Sequence, residues 1–117
     1  MPLKVDHSSL ESGIEVMTLS GSLTLGRESQ SFEWSIEELI KKQKNRIVLD
    51  LQAVSFVDSA GIGILVGCHG KVNNSGGKMR LAGVADRVMN VLKITRVDTL
   101  LSTDPTVADS IREIGAA

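Results

Sequence analysis

The chain has 117 residues, of which 42% are hydrophobic and 23% are charged, and this composition is typical of one globular domain. A net charge of −1 and a total of two phenylalanines, one tryptophan and no tyrosine exclude a basic, stacking surface for nucleic acid. The single cysteine fits a reducing compartment, and the longest apolar runs are too short to span a membrane, so we expect a cytoplasmic domain over residues 1–117.

Two strands are predicted at the N-terminus, where Met1–Leu10 lacks the apolar core of a secretory signal. Leu3–His7 alternates apolar and polar residues, as a half-exposed strand does. Ile14–Leu19 also alternates, with its last apolar residues out of strict phase. Ser12-Gly13 provides a hairpin turn between the two, and we expect Gly21 to end the second strand.

A helix is predicted from Glu28 to Gln43, because its apolar residues recur at helical spacing: Phe32, Ile36, Leu39 and Ile40. Trp34 lies off that apolar face. We expect it to pack at the edge of the core, the alternative being an exposed anchor for a partner, since tryptophan is enriched at binding hot spots. The run Ile47–Leu51 then predicts a central strand that is covered on both sides, and Val54–Val57 comes after it.

The second predicted helix extends from about Ala60 to Asn73 and is rich in glycine. Gly63, Gly67 and Gly70 lie inside it, and each costs roughly 1 kcal/mol of helix stability relative to alanine. Such a cost indicates that the helix closely approaches either the sheet or a partner.

The C-terminal third of the chain predicts two more strands and two more helices. Met79–Gly83 reads as a strand, Thr99–Ser102 as a last short strand, and the helix between them has four apolar residues: Val84, Val88, Val91 and Leu92. The last helix is predicted with Asp104 as N-cap, Pro105 in its first turn and Gly115 as its stop. The order β-β-α-β-α-β-α-β-α predicts an α/β domain with a mostly parallel mixed sheet of four to five strands, packed against about four helices.

Enzyme signatures fail on their spacing. A nucleophile elbow requires glycine two residues before Ser59, where Val57 stands, and neither histidine lies in a triad-like context. The Gly-Lys pairs lack the upstream glycine and the following Ser/Thr of a phosphate-binding loop. After Gly61-Ile62-Gly63 the third glycine of a dinucleotide fingerprint is one position late. We therefore predict no catalytic residues and no bound cofactor.

A metal site is not predicted either. Cys68 and His69 are adjacent, so on a helix they point about 100° apart and do not ligate one ion comfortably. We expect Cys68 to be a small core residue and His69 to be half exposed.

The remaining candidate is Ser59, between a buried strand and a helix. In the simplest interpretation either Asp58 or Ser59 is only the N-cap of that helix. A helix N-terminus also tolerates a phosphate well, because its free N–H groups and the helix dipole stabilise the added negative charge. Ser59 is thus suited to reversible phosphorylation that leaves the fold intact.

The segment around Ser59 resembles a known family signature. Ile47–Leu51 followed by Val54–Leu65, with Asp58-Ser59-Ala60-Gly61-Ile62-Gly63 at its centre, resembles the STAS-domain anti-sigma factor antagonists. The similarity continues in the order of the elements and in Gly21-Ser22-Leu23.

The resemblance implies a bacterial partner-switching protein. Its unphosphorylated form would bind an anti-sigma factor that is also a serine-protein kinase, and so release the sigma factor. Phosphorylation of Ser59 would break that complex, and a PP2C-type phosphatase would restore it. Because the kinase carries the ATP, the chain itself would be a binding module and not an enzyme. The partner-binding residues implied are Asp58, Ser59, Ala60, Gly61, Ile62 and Gly63, together with Ser22 and Thr24.

Two departures from the family pattern leave alternatives open. Many members have acidic residues where this chain has Ser22 and Thr24, and a glycine where it has Arg96. The missing acids motivate a second hypothesis, a constitutive STAS scaffold or transport-associated subunit that is not phosphorylated. A small-ligand sensor is a third hypothesis, which no sequence feature demands. We expect a monomer or a weak dimer, with neither nucleic acid nor a membrane as partner.

Overall fold

Five strands in the order β1-β2-β3-β4-β5 form one sheet in the computed structural model, which describes residues 1–115. β1 is antiparallel to β2, and all other neighbouring strands are parallel. The strands are β1 (Lys4–Ser9), β2 (Glu15–Leu23), β3 (Arg46–Val57), β4 (Lys78–Ala82) and β5 (Thr103–Asp104). The helices are α1 (Arg27–Lys41), α2 (Ser59–Asn74), α3 (Asp86–Ile94) and α4 (Val107–Gly115). The predicted α/β class and element order are confirmed.

The two faces of the sheet are covered unequally. Residues of α1, α2 and α3 pack with alternate strand residues, such as Ile47 and Leu49, into the main core. On the other face α4 covers a small cluster formed by Ile14, Val48, Ala82 and Ile114. The prediction that Ile47–Leu51 is covered on both sides is confirmed, because consecutive residues of this run belong to opposite cores.

The start of β2 and Ile14 just before it are apolar on both faces, which explains the irregular alternation of this segment. Met17 and Leu19 face the main core, whereas Ile14 and Val16 pack with the cluster under α4. The strand does not end at Gly21 but continues to Leu23. Gly21 has φ +93 at a shift in the β2–β3 register, and a Cβ on it would lie 2.3 Å from the carbonyl oxygen of Pro2. This glycine therefore permits a bulge inside the strand.

α1 presents Phe32, Ile36 and Leu39 to the core as predicted. Trp34 is 59% exposed, so the expectation that it packs at the edge of the core is wrong. It lies beside His7 of β1 over a shallow groove. After α3, Arg96 adopts a left-handed conformation with φ +62, the backbone geometry that explains why glycine suits this turn.

The C-terminal segment differs from the prediction in two places. Val97–Thr99 is a 3₁₀ turn, and the last strand is Thr103–Asp104 rather than Thr99–Ser102. Asp104 does not cap α4: Thr106 does, since its Oγ1 accepts the N–H of Asp109 at 3.1 Å. Pro105 precedes that cap, outside the helix. Gly115 is the last described residue and still belongs to α4, and the residues beyond the predicted stop lie outside the described range.

Asp104 instead joins β4 to α4. Its carboxylate accepts hydrogen bonds from Nε of Arg80 at 2.6 Å and from the hydroxyl of Ser110 at 2.7 Å. The hydrogen bond from Arg80 is the main cause that holds the pKa of Asp104 below its ordinary value. The stabilisation from this carboxylate is therefore present near neutral pH and is lost as the pH falls through the lowered pKa.

Candidate functional site

Ser59 lies where the carboxyl ends of β2 and β3 meet. These two strands are parallel neighbours, and Leu23 is paired with Val57 at their ends. The N–H of Asp58 also faces the carbonyl oxygen of Leu23 at 3.4 Å. The loop after β2 and the start of α2 are thereby held side by side, which brings the predicted residues Ser22 and Thr24 to the same edge as Asp58 and Ser59.

Asp58 is the N-cap of α2, and Ser59 is the first residue of the helix. The backbone of Asp58 is extended, and its Oδ1 accepts the N–H of Gly61 at 2.8 Å. Its carbonyl oxygen accepts the first intrahelical bond, from the N–H of Ile62 at 3.0 Å. The capping role therefore belongs to the aspartate and leaves the exposed Ser59 free of it.

Gly61 fixes the position of the helix start against β2. A Cβ on Gly61 would lie 2.1 Å from the carbonyl oxygen of Leu23 and 3.0 Å from Cγ1 of Val57. No side chain fits between the first turn of α2 and the end of β2 at that distance. The glycine is thus required for the chain's own packing.

Gly63, Gly67 and Gly70 have a different environment. A Cβ on any of them would meet no atom within 4 Å in the part of the chain that the structure describes. Of the two predicted alternatives, close approach to the sheet is therefore wrong for these glycines, and close approach to a partner stays a prediction. Together they give α2 an outward face without side chains, which begins one turn after Ser59.

Two exposed apolar side chains lie at the same end of the sheet as Ser59. Leu25, just after β2, is 84% exposed, and Phe56, two residues before Asp58, is 51% exposed. Ser22 is paired with Phe56, and its N–H reaches the carbonyl oxygen of Met1 at 3.2 Å. Sequence reasoning missed both apolar residues because each lies in or beside an apolar strand. In the sequence Phe56 stands between Val54 and Val57, which are both buried in the structure. The sequence pattern alone therefore does not indicate that Phe56 is exposed.

The interior side of α2 is apolar and closed. Cys68 is buried and His69 is half-buried, as expected. Burial raises the pKa of the Cys68 thiol to about 12, so this thiol stays protonated near neutral pH. Burial also lowers the pKa of His69, which favours its neutral form.

No group of three or more His, Cys, Asp or Glu side chains is placed among residues 1–115 to hold a metal ion. Among the described helices, none combines the length and the apolar character that crossing a membrane requires.

Comparison with known proteins gives a consistent result. The STAS domain matches residues 10–110 of the chain. The anti-sigma F factor antagonist of Paenibacillus polymyxa is 31% identical over 84 residues, which are 71% of this chain and 71% of that protein.

Solved structures share the fold. The crystal structure of TM1081 from Thermotoga maritima superimposes with a TM-score of 0.85 at 22% identity, over 94% of this chain and 93% of that one. The anti-sigma factor antagonist SpoIIAA in its unphosphorylated form superimposes with a TM-score of 0.76 at 17% identity, over 97% of this chain and 100% of that one. Bacillus SpoIIAA is also known in a phosphorylated form, with a TM-score of 0.74 at 17% identity, over 95% of this chain and 99% of that one. Because the family model matches residues 10–110 and the fold agrees with it, the chain belongs to the STAS domain family.

Proposed function

We propose that this protein is an anti-sigma factor antagonist that is switched by phosphorylation of Ser59. The observation that carries the proposal is an exposed serine at the first position of α2, directly after the aspartate that caps the helix. The named relatives with this fold, one of them known in a phosphorylated form, support the assignment. We further propose that residues 1–117 form one STAS domain that acts in the cytoplasm.

The position of Ser59 explains how the site could carry a phosphate without unfolding. The cap bond from Gly61 is made to Asp58, so a modified Ser59 need not give up a bond that holds the helix. A phosphate adds about −1.5 to −2 charges, which the free N–H groups and the positive end of the α2 dipole stabilise. The fold would therefore persist in both states.

The surroundings of Ser59 explain how a phosphate would weaken a complex. Leu25 after β2 and Phe56 near the end of β3 are exposed apolar side chains at this end of the sheet, and exposed apolar side chains are suited to burial under a partner. Burying a phosphate within such a contact carries a large desolvation cost unless a cation meets it. Asp58 adds a second negative charge next to the phosphate. The two like charges repel each other, which further increases the cost of burying this site under a partner.

The partner would be an anti-sigma factor that is also a serine-protein kinase. We propose that its contact residues include Asp58, Ser59 and Ala60 at the helix start, with Ser22 and Thr24 across the edge. The remaining implied contacts are on the first turn of α2: Gly61, Ile62 and Gly63. Gly61 is buried against Leu23, so its contribution is to place the helix rather than to touch the partner. A PP2C-type phosphatase would regenerate the binding form.

The direct test is phosphorylation by the cognate kinase with ATP, followed by mass mapping of the modified residue. We expect one phosphate on Ser59 and none on the Ser59→Ala variant. Binding of Ser59→Asp to the kinase should be weakened by at least about tenfold, because a buried uncompensated charge costs several kcal/mol. Ser12→Asp is the matched control, since Ser12 is exposed in the β1–β2 hairpin, at the opposite end of β2 from Ser22.

The outcomes separate two functions. Phosphate on another residue, or equal binding by Ser59→Asp and the wild-type protein, would exclude the phosphorylation switch. Tight binding that is unaffected by Ser59→Asp would instead favour a constitutive STAS scaffold or transport-associated subunit. The uncharged residues Ser22 and Thr24 are the feature that motivates this second candidate.

A further inference from the structure

β1 is an edge strand whose outer side is open. Within residues 1–115 it pairs with β2 alone, and five of its six residues are exposed. Exposed edge strands present unpaired backbone groups to other chains, and natural proteins usually shield them. Here the charged side chains on the strand are Lys4 and Asp6, which have opposite signs.

The hydrogen-bond pattern shows which residues of β1 face outward. The N–H of Leu10 donates to the carbonyl oxygen of Ile14 at 2.9 Å, which makes these residues a hydrogen-bonded pair in the β1–β2 register. In an antiparallel ladder such pairs alternate, so the even-numbered residues of β1 bond to β2. The backbone groups of Val5, His7 and Ser9 are therefore directed away from β2, toward the open edge.

A second copy of β1 fits this edge in one favourable antiparallel register. When Val5 lies opposite Val5 of the copy, Lys4 lies opposite Asp6 of the copy, and Asp6 opposite its Lys4. The pair at Val5 is then a hydrogen-bonded pair, and the two charge pairs occupy the closer non-bonded positions. If the centre of the pairing moves from Val5 to Asp6, then Asp6 lies opposite Asp6 of the copy, and the two like charges repel each other. The charges thus select the register centred on Val5.

The surface between β1 and α1 has two shallow grooves with room for side chains of the copy. Val5 packs against the main core, and a shallow groove of about 290 Å³ lies between it and Phe32 of α1. A second groove of about 300 Å³ lies between His7 and the exposed Trp34. In the Val5-centred register the side chain of Val5 of the second copy points toward these grooves between β1 and α1.

We propose that the protein forms a two-fold dimer through antiparallel pairing of β1, which makes one continuous sheet across two copies. Only about five residues per chain pair, so the contact belongs to the small and reversible class of interface. The dyad reverses the strand direction, and the two Ser59 edges therefore point to opposite ends of the joined sheet. Both remain accessible in the dimer, so the proposal does not depend on the function of Ser59.

Charge reversal tests the register. Lys4→Asp places an aspartate opposite Asp6 at both charge pairs of the dimer, and Asp6→Lys likewise places lysine opposite lysine. We expect either variant to dimerise at least about tenfold more weakly than the wild-type protein, measured by sedimentation equilibrium. An equimolar mixture of the two variants should form a heterodimer with the wild-type strength, because each aspartate of one then faces a lysine of the other. The control is Lys78→Asp on β4, which is three strands away from β1 in the sheet. It makes the same charge change as Lys4→Asp, and this variant should dimerise as the wild-type protein does.

β1 should stay in place in these variants. The buried carboxylate of Glu15 accepts hydrogen bonds from the hydroxyl of Ser9 at 2.6 Å and from Nε2 of His7 at 2.8 Å, which hold the strand on β2 independently of Lys4 and Asp6. Circular dichroism and the melting temperature of each variant verify this. A wild-type protein that remains monomeric at about 1 mM, or a dimer that neither variant weakens, overturns the proposal. A mixture that fails to restore the dimer overturns the Val5-centred register.

Discussion

The two faces of α2 carry glycines with opposite structural roles. On the inner face Gly61 touches the backbone of β2, and a methyl group there has no space. On the outer face Gly63, Gly67 and Gly70 border open space, and a methyl group there would touch nothing in the described chain. The comparison shows that a glycine-rich helix is not evidence of close packing by itself. The environment of each glycine decides whether it stabilises the fold or only costs helix stability.

Replacing the inner glycine should have the largest effect. In Gly61→Ala the new Cβ would lie 2.1 Å from the carbonyl oxygen of Leu23, a backbone atom that cannot rotate away. The helix start must move from the sheet, and we expect a loss of about 3 kcal/mol in the free energy of unfolding. Urea denaturation followed by circular dichroism measures it. A loss below about 1 kcal/mol would show that α2 shifts freely at its first turn and would remove the contrast between the two faces.

The sequence reveals these glycines but not their environments. Hydrophobic periodicity predicts the order of the elements, because each element must bury one face. It does not tell which strand a given helix turn will touch. Asp104 is a similar case: local spacing indicates an N-cap, whereas the pairing of β4 with β5 brings it to Arg80. A charged partner from a neighbouring strand is a stronger attraction than a cap, and only the sheet order shows that the partner is there.

Exposure is equally difficult to predict from the sequence. Phe56 belongs to an apolar run and Trp34 to an amphipathic helix, yet both side chains are largely exposed. The Asp58-Ser59 segment is different, since a capping residue acts on backbone groups only a few positions away. Its geometry was therefore predictable in part, although the sequence left open which of the two residues is the cap.

The cap at the start of α2 should have an intermediate effect. Asp58→Ala removes the acceptor of the Gly61 N–H, and we expect a loss of about 1 kcal/mol in the free energy of unfolding. Asp58→Asn is the matched control, because its side-chain oxygen still accepts that bond and should retain most of the stability. Chemical denaturation of both variants measures the difference. Equal losses in the two variants would indicate that the charge of Asp58, through the helix dipole, matters more than its hydrogen bond.

The smallest expected effect is on the outer face and has the opposite sign. Gly67→Ala fills open space and removes the conformational entropy cost of a mid-helix glycine, so we expect a gain of about 0.5 to 1 kcal/mol in the free energy of unfolding. Gly63→Ala should give a similar gain, since it lies on the same face. If both are stabilising and only Gly63→Ala weakens binding of the kinase, the partner covers the first turns after Ser59 and not the middle of the helix. A loss of stability in Gly67→Ala would contradict the contrast between the two faces of α2, because it would mean that the outer face is packed against something within the chain.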